Sequence, residues 1–196
     1  MSTMNRKVTI FAVLLYQCLS LTANAEVKDT LLVFDEGLFQ VQNVTAEGNS
    51  TLRYAKVSYG RKGDSTGYVE TPGHPELPLC HYVISLPSNA QNIKVTCEAI
   101  RGASHVLDYE IYPVQHLVPT GINYARPAFC MADSTVYARK YPADFVSVTD
   151  VSCSGDNEKQ VGINVCPITY YPRENRCELA KSILVHVSYS LDEARQ

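Results

Sequence analysis

The stretch HPELPLCHYVISLPSNAQNIKV, residues 74–95, carries the pattern that decides the fold class. Cys80, Tyr82, Ile84 and Leu86 alternate with His81, Val83 and Ser85, and Ile93, Val95 and Cys97 alternate with Asn92, Lys94 and Thr96. A period of two places successive side chains on opposite faces, which is the mark of strands with one face buried and one wet. Pro75 and Pro78 lack an N–H and belong outside a strand or at its start, and Pro87 ends the first run. The stretch therefore predicts a loop leading into a β-hairpin, with the turn at Ser88-Asn89-Ala90.

The same period recurs at Val161, Ile163 and Val165 and at Ile183, Val185, Val187 and Tyr189. Hairpins are expected between Val146–Cys153 and Gln160–Ile168, and between Gln160–Tyr170 and Leu179–Ser190. No segment shows a long, capped helical period. Tyr, Val, Ile and Thr are abundant, as strands prefer. The expected fold is all-β, an antiparallel β-sandwich of about eight to ten strands. Tyr82, Ile84, Ile93, Val95, Ile163, Val165, Val185 and Val187 should face the core. Residues 114–142 are irregular, with a strand expected only at Thr135–Tyr137; a long irregular segment is often functional. The Gly-rich run Tyr59–Gly67 reads as a turn, because the Gly-Lys-Ser/Thr ending of a phosphate loop is absent.

Arg6 and Lys7, the apolar Val8–Leu15 and the small-x-small triplet Ala23-Asn24-Ala25 form a signal peptide, with cleavage expected after Ala25. The mature region is 26–196, one domain, exported to a periplasmic or extracellular setting. The apolar stretch is short of the roughly 20 residues a transmembrane helix needs. Removing it leaves 15 Lys and Arg against 20 Asp and Glu, a net charge of −5 without a basic cluster. That charge disfavours nucleic acid and an electrostatic membrane anchor as partners.

Six cysteines remain: Cys80, Cys97, Cys130, Cys153, Cys166 and Cys177. An even count in an exported chain reads first as disulfides, with buried thiols as the alternative. In the predicted hairpin Cys80 and Cys97 would project to the same face and are a candidate pair. As a catalytic nucleophile and base, Cys80-His81 fails, because adjacent strand residues face opposite ways. The five histidines are scattered, C-x-x-C and H-E-x-x-H spacings are missing, and no cofactor motif emerges. Asp108 and Glu110 could share a strand face, but nothing else supports a glycosidase. Asn43-Val44-Thr45 and Asn49-Ser50-Thr51 have the form of glycosylation sequons.

Four proline-marked elements come in a specific order. They are Pro75-x-Leu77-Pro78, the strand closing in Leu86-Pro87, Tyr112-Pro113-Val114-Gln115, and Pro167-Ile168-Thr169-Tyr170-Tyr171-Pro172 before a last alternating strand. This order resembles the propeptide domain of gingipain-type cysteine peptidases, from roughly Leu31 to Leu191. The resemblance implies a bacterial β-sandwich prodomain ahead of a caspase-like cysteine peptidase domain, which it keeps latent during export and helps to fold. The catalytic residues of that family belong to the peptidase domain, so none is assigned to this chain. The chain would be part of a longer precursor, or a free-standing copy acting in trans. The rival expectation is a secreted β-sandwich that binds a glycan, a surface or another protein.

A partner peptidase that cuts after Arg or Lys would take a basic side chain into an acidic pocket, through charge-assisted bonds. The irregular segment offers Arg126, Arg139 and Lys140; Arg126 precedes Pro127, which restricts it toward an extended form. Arg195 is the only basic residue after Lys181 and is the candidate maturation site. The polar tail Asp192–Gln196 is expected to be protease-accessible.

Overall fold

The computed structural model describes residues 25–61, 66–117, 127–154 and 158–192. Ten strands lie among them: β1 (Ala25–Val33), β2 (Gln40–Ala46), β3 (Asn49–Ser58), β4 (Thr66–Tyr68), β5 (Pro78–Pro87), β6 (Ala90–Val106), β7 (Val146–Ser154), β8 (Glu158–Val165), β9 (Ile168–Tyr171) and β10 (Arg176–Leu191). The only helices among the described residues are two three-residue 3-10 turns. One sheet runs β1-β10-β6 with β9 also on β10, a second runs β4-β5-β8-β7, and β2 and β3 form a separate hairpin. All of these named strand pairs are antiparallel.

The two four-stranded sheets close on one core. From the first come Leu32, Ile183, Val185, Val187 and Tyr189; from the second, Ile84, Leu86, Val161, Ile163 and Val165. Register explains the grouping: Leu32 faces Ile183, which faces Ala99, and Ile84 faces Val161. Partners across a ladder share a face, so each row delivers its apolar set to the same side. All eight predicted core residues are buried or pack against this core, with Tyr82, Ile93 and Val95 partly covered.

The opening hairpin is not formed. β5 pairs with β4 and β8, β6 pairs with β10, and the turn at Ser88-Asn89-Ala90 carries the chain from one sheet to the other as an arch. The β7–β8 hairpin forms as expected, with Val146 opposite Val165 and Ser154 opposite Glu158. The last expected hairpin is half right. Ile168–Tyr171 pairs with the start of β10, but β8 lies in the other sheet, and the chain crosses between sheets at Cys166-Pro167. Thr135–Tyr137 is a turn, closed by the Asp133 carboxylate, which accepts from the Thr135 N–H at 2.8 Å.

Asp192, the first residue of the expected loose tail, is held. Its N–H donates to Asn89 O (2.9 Å), and its carboxylate accepts from Gln91 Nε2 (2.8 Å). Arg195 lies outside the described residues.

Candidate functional site

Three of the four proline-marked elements converge on one junction, while Leu86-Pro87 ends β5 opposite Lys159 and Glu158. Pro75 bridges Pro113; the Glu76 N–H donates to Tyr112 O (2.9 Å) and the Val114 N–H to His74 O (2.8 Å). Tyr170, from the Pro167–Pro172 element, exchanges backbone bonds with Tyr141 at 2.7 and 2.9 Å. The Tyr170 hydroxyl accepts from the Ile111 N–H (3.3 Å), and the Tyr137 hydroxyl donates to Ile111 O (2.6 Å). Ile111 is fully buried. Both phenols are pushed well above the ordinary tyrosine value, chiefly by burial, and so keep their protons and these bonds at neutral pH.

Beyond Ile111 the chain runs through Tyr112-Pro113-Val114-Gln115 toward residues 118–126, which lie outside the described set, and it is described again from Pro127. The two sides of this interval are joined. The Gln115 side chain donates from Nε2 to Cys130 O (3.1 Å) and to Pro113 O (2.7 Å), and its Oε1 accepts from the Cys130 N–H (2.8 Å). Gly73 makes a second joint: its N–H donates to Val114 O and its carbonyl accepts from the Asp133 N–H, both at 2.9 Å. Phe129 packs on Tyr54 and Tyr112, each with ring centroids 5.7 Å away, and these rings belong to a small second core with Ala46. Lys56 lies 4.4 Å over the Tyr112 ring and pairs with Glu76 at 2.8 Å. The site is thus a braced junction that joins the chain on either side of residues 118–126.

Among the candidate basic residues, Arg139 and Lys140 are exposed at the end of the Asp133–Arg139 turns, and Arg126 lies outside the described residues. Ala25 opens β1, and Glu26 is tied by the Tyr189 hydroxyl, which donates to its carboxylate at 2.9 Å. All six cysteines carry thiols: Cys80, Cys166 and Cys177 are buried, Cys97 and Cys130 half-buried, Cys153 exposed. With β5 and β6 in different sheets, the hairpin that suggested pairing Cys80 with Cys97 does not exist. His81 is exposed while Cys80 is buried, on opposite faces of β5. Among the described residues no group of three His, Cys, Asp or Glu side chains is placed to hold a metal ion.

A family model described as Propeptide_C25 matches residues 32–195. The chain belongs to the C25 propeptide family. It corresponds to the non-catalytic propeptide of a cysteine peptidase precursor. Two solved structures share the fold of this C25 propeptide. One, a complex of Porphyromonas gingivalis RgpB pro- and mature domains, is 16% identical with a TM-score of 0.64, over 88% of this chain and 82% of that one. The other, on zymogenic latency of gingipain K from Porphyromonas gingivalis, is 17% identical with a TM-score of 0.63, over 88% and 96%. No curated protein matches the chain.

The sequence flagged the proline elements of this propeptide but assigned no role to Gln115, Gly73, Tyr54 or Phe129. Gln115 was in view as the last residue of Tyr112–Gln115; its contact with Cys130 depends on chain geometry that no local pattern encodes.

Proposed function

We propose that this chain keeps a caspase-like cysteine endopeptidase latent and assists its folding, in cis within a precursor or in trans. In this reading it is a bacterial export product, cleaved after Ala25, that acts in the periplasm or outside the cell. The Glu26–Val33 part of β1 remains to pair with β10 after such cleavage. The observation that carries the latency reading is the braced base at Gln115, Gly73 and Cys130. It holds both approaches to a segment that contains Arg126, the side chain proposed to enter an acidic specificity pocket. Arg139 and Lys140 are the alternative baits, exposed but on a separate turn. Arg195 is the proposed maturation site.

The test is inhibition of the mature domain of an Arg- or Lys-specific C25 peptidase by the chain from Glu26 onward. Arg126→Ala should weaken inhibition by at least about tenfold, the scale of losing one charge-assisted contact of about 1.4 kcal/mol. Arg139→Ala and Lys140→Ala should change it little. Equal inhibition by Arg126→Ala and the parent would remove Arg126 as the bait.

A free-standing binding or adhesion module is the second reading. It draws on the outer face of the β1-β10-β6 sheet, where Leu31, Val33 and Ile100 are 58, 55 and 63% exposed. Absence of any association with a C25 peptidase would favour it.

A further inference from the structure

We propose that Asn49, and not Asn43, is an acceptor for an N-linked oligosaccharide; the inference is independent of the latency reading above. Both asparagines open a sequon on the β2–β3 hairpin, Asn43-Val44-Thr45 and Asn49-Ser50-Thr51, and both are exposed. Spacing does not distinguish them, but their places in the hairpin do.

Asn43 lies in the body of the ladder. It faces Ala55, and Ala55 is fixed to the rest of the molecule: its N–H donates to Glu110 O and its carbonyl accepts from the Tyr112 N–H, both at 2.8 Å. The Asn43 carboxamide is engaged as well, donating from Nδ2 to the Asp108 carboxylate at 3.4 Å. The nitrogen that would react is thus occupied, on a strand whose partner is tied down at that rung.

Asn49 lies at the free end. It faces Ala46 in the last rung, beyond an irregularity between Thr45 and Ala46, and the turn Glu47-Gly48 closes the hairpin. Gly48 has nothing within 4 Å of where a Cβ would sit, so the tip is open. Lifting Asn49 out of the ladder breaks one terminal rung, the kind of local opening that costs least. The Asn49 Oδ1 accepts from the Thr51 N–H (3.1 Å) and from the Thr51 hydroxyl (2.7 Å). Its Nδ2 is left without a hydrogen bond among the described residues. The hydroxyl and the carboxamide that define the sequon therefore stand together on one side of the chain, where a single approach reads both.

The donor class is an oligosaccharide carried on a polyprenyl diphosphate and used by a membrane oligosaccharyltransferase. The Asn49 Nδ2 attacks C1 of the first sugar and forms the C–N bond. The C1–O bond to the diphosphate breaks, the diphosphate leaves with that electron pair, and one Nδ2 proton passes to a base of the transferase. The product is a bulky, solvated group at the hairpin tip.

The experiment treats the whole folded chain with a purified single-subunit oligosaccharyltransferase and a polyprenyl-diphosphate oligosaccharide, and maps the sites by peptide mass spectrometry. The Asn49 peptide should gain the oligosaccharide mass less one water, with occupancy at least about tenfold above that of Asn43. A free peptide of residues 39–54 carries both sequons without the fold, and there the preference should shrink to within about threefold. Asn49→Gln and Thr51→Val should abolish the shift at this site, while Thr51→Ser keeps it and Asn43→Gln leaves it unchanged. The two sites are compared within the parent chain, so the comparison stands even where a variant fails to fold. Asn49 left bare in the folded chain, or Asn43 occupied to within about twofold of it, overturns the proposal. So does a free peptide that keeps the full tenfold preference, because local sequence and not the hairpin would then make the choice.

Discussion

Gly73 shows how much depends on one residue at the junction. Its φ of +82° lies in the left-handed region, and a Cβ there would approach Met131 O at 3.4 Å. Gly73→Ala should therefore lose about 1–2 kcal/mol in urea denaturation, from backbone strain alone. The buried thiols make a second, pH-dependent prediction. Burial first, and then neighbouring thiols, push Cys166 and Cys177 up from 9.0 to about 12, and burial likewise pushes the Tyr59 phenol up from 10.0 to about 12. A raised value in the folded state means the unfolded chain ionises first. The stability these groups contribute is full below about pH 9 and falls progressively toward about pH 12. Denaturant midpoints should be level from about pH 7 to 8.5 and drop by about pH 10.5, and Cys166→Ala combined with Cys177→Ala should flatten part of that drop. At this scale the sequence was legible where alternation points inward, as at Ile163 or Val185. It was silent on Gly73, because a glycine beside Pro72 looks the same in any turn whether or not two strands of chain cross over it.

Among the elements, β6 carries an irregularity with an identifiable brace. Arg101 faces Ala180 and Ser104 faces Glu178, so Gly102 and Ala103 oppose a single residue of β10. The Glu36 carboxylate, presented by the 3-10 turn Glu36–Leu38, accepts from the Ala103 N–H at 3.0 Å and lies 2.2 Å from where a Gly102 Cβ would sit. Gly102→Ala should expel that carboxylate and cost about 1 kcal/mol. In the Glu36→Ala background the same substitution should cost measurably less, and a double-mutant cycle reads the coupling. The elements also explain why some strands were not foreseen. On β1 the apolar Val27, Leu31 and Val33 are exposed, while Lys28 and Thr30 share the face of the buried Leu32; the usual pattern is inverted, and Lys28 reaches across to donate to Ser85 O at 2.7 Å. The mistaken first hairpin has an equally physical cause. Two alternating strands joined by a short polar turn read the same whether the second strand turns back beside the first or crosses to the facing sheet. Only the pairing of β6 with β10, nearly a hundred residues on, separates the two.

Across the whole molecule, stability concentrates in β10. It pairs with β1, β6 and β9, and its buried Leu179, Ile183, Val185 and Val187 lie at the centre of the core. Ile183→Ala should cost about 2–5 kcal/mol. Truncation after Asn175 should leave far-UV circular dichroism without a cooperative thermal transition, since β1 and β6 lose their shared neighbour. This central strand comes late in the chain while its partners come first and in the middle: Glu26 waits for Tyr189, and Thr96 for His186. Loop-closure cost makes such distant pairings slow to form. A chain emerging amino-end first from the ribosome cannot complete this sheet until β10 has been made, so β1 and β6 remain without their shared neighbour up to that point. Passage through a narrow translocation channel, the route proposed for this chain, calls for an incompletely folded polypeptide, and the order of the strands favours that state.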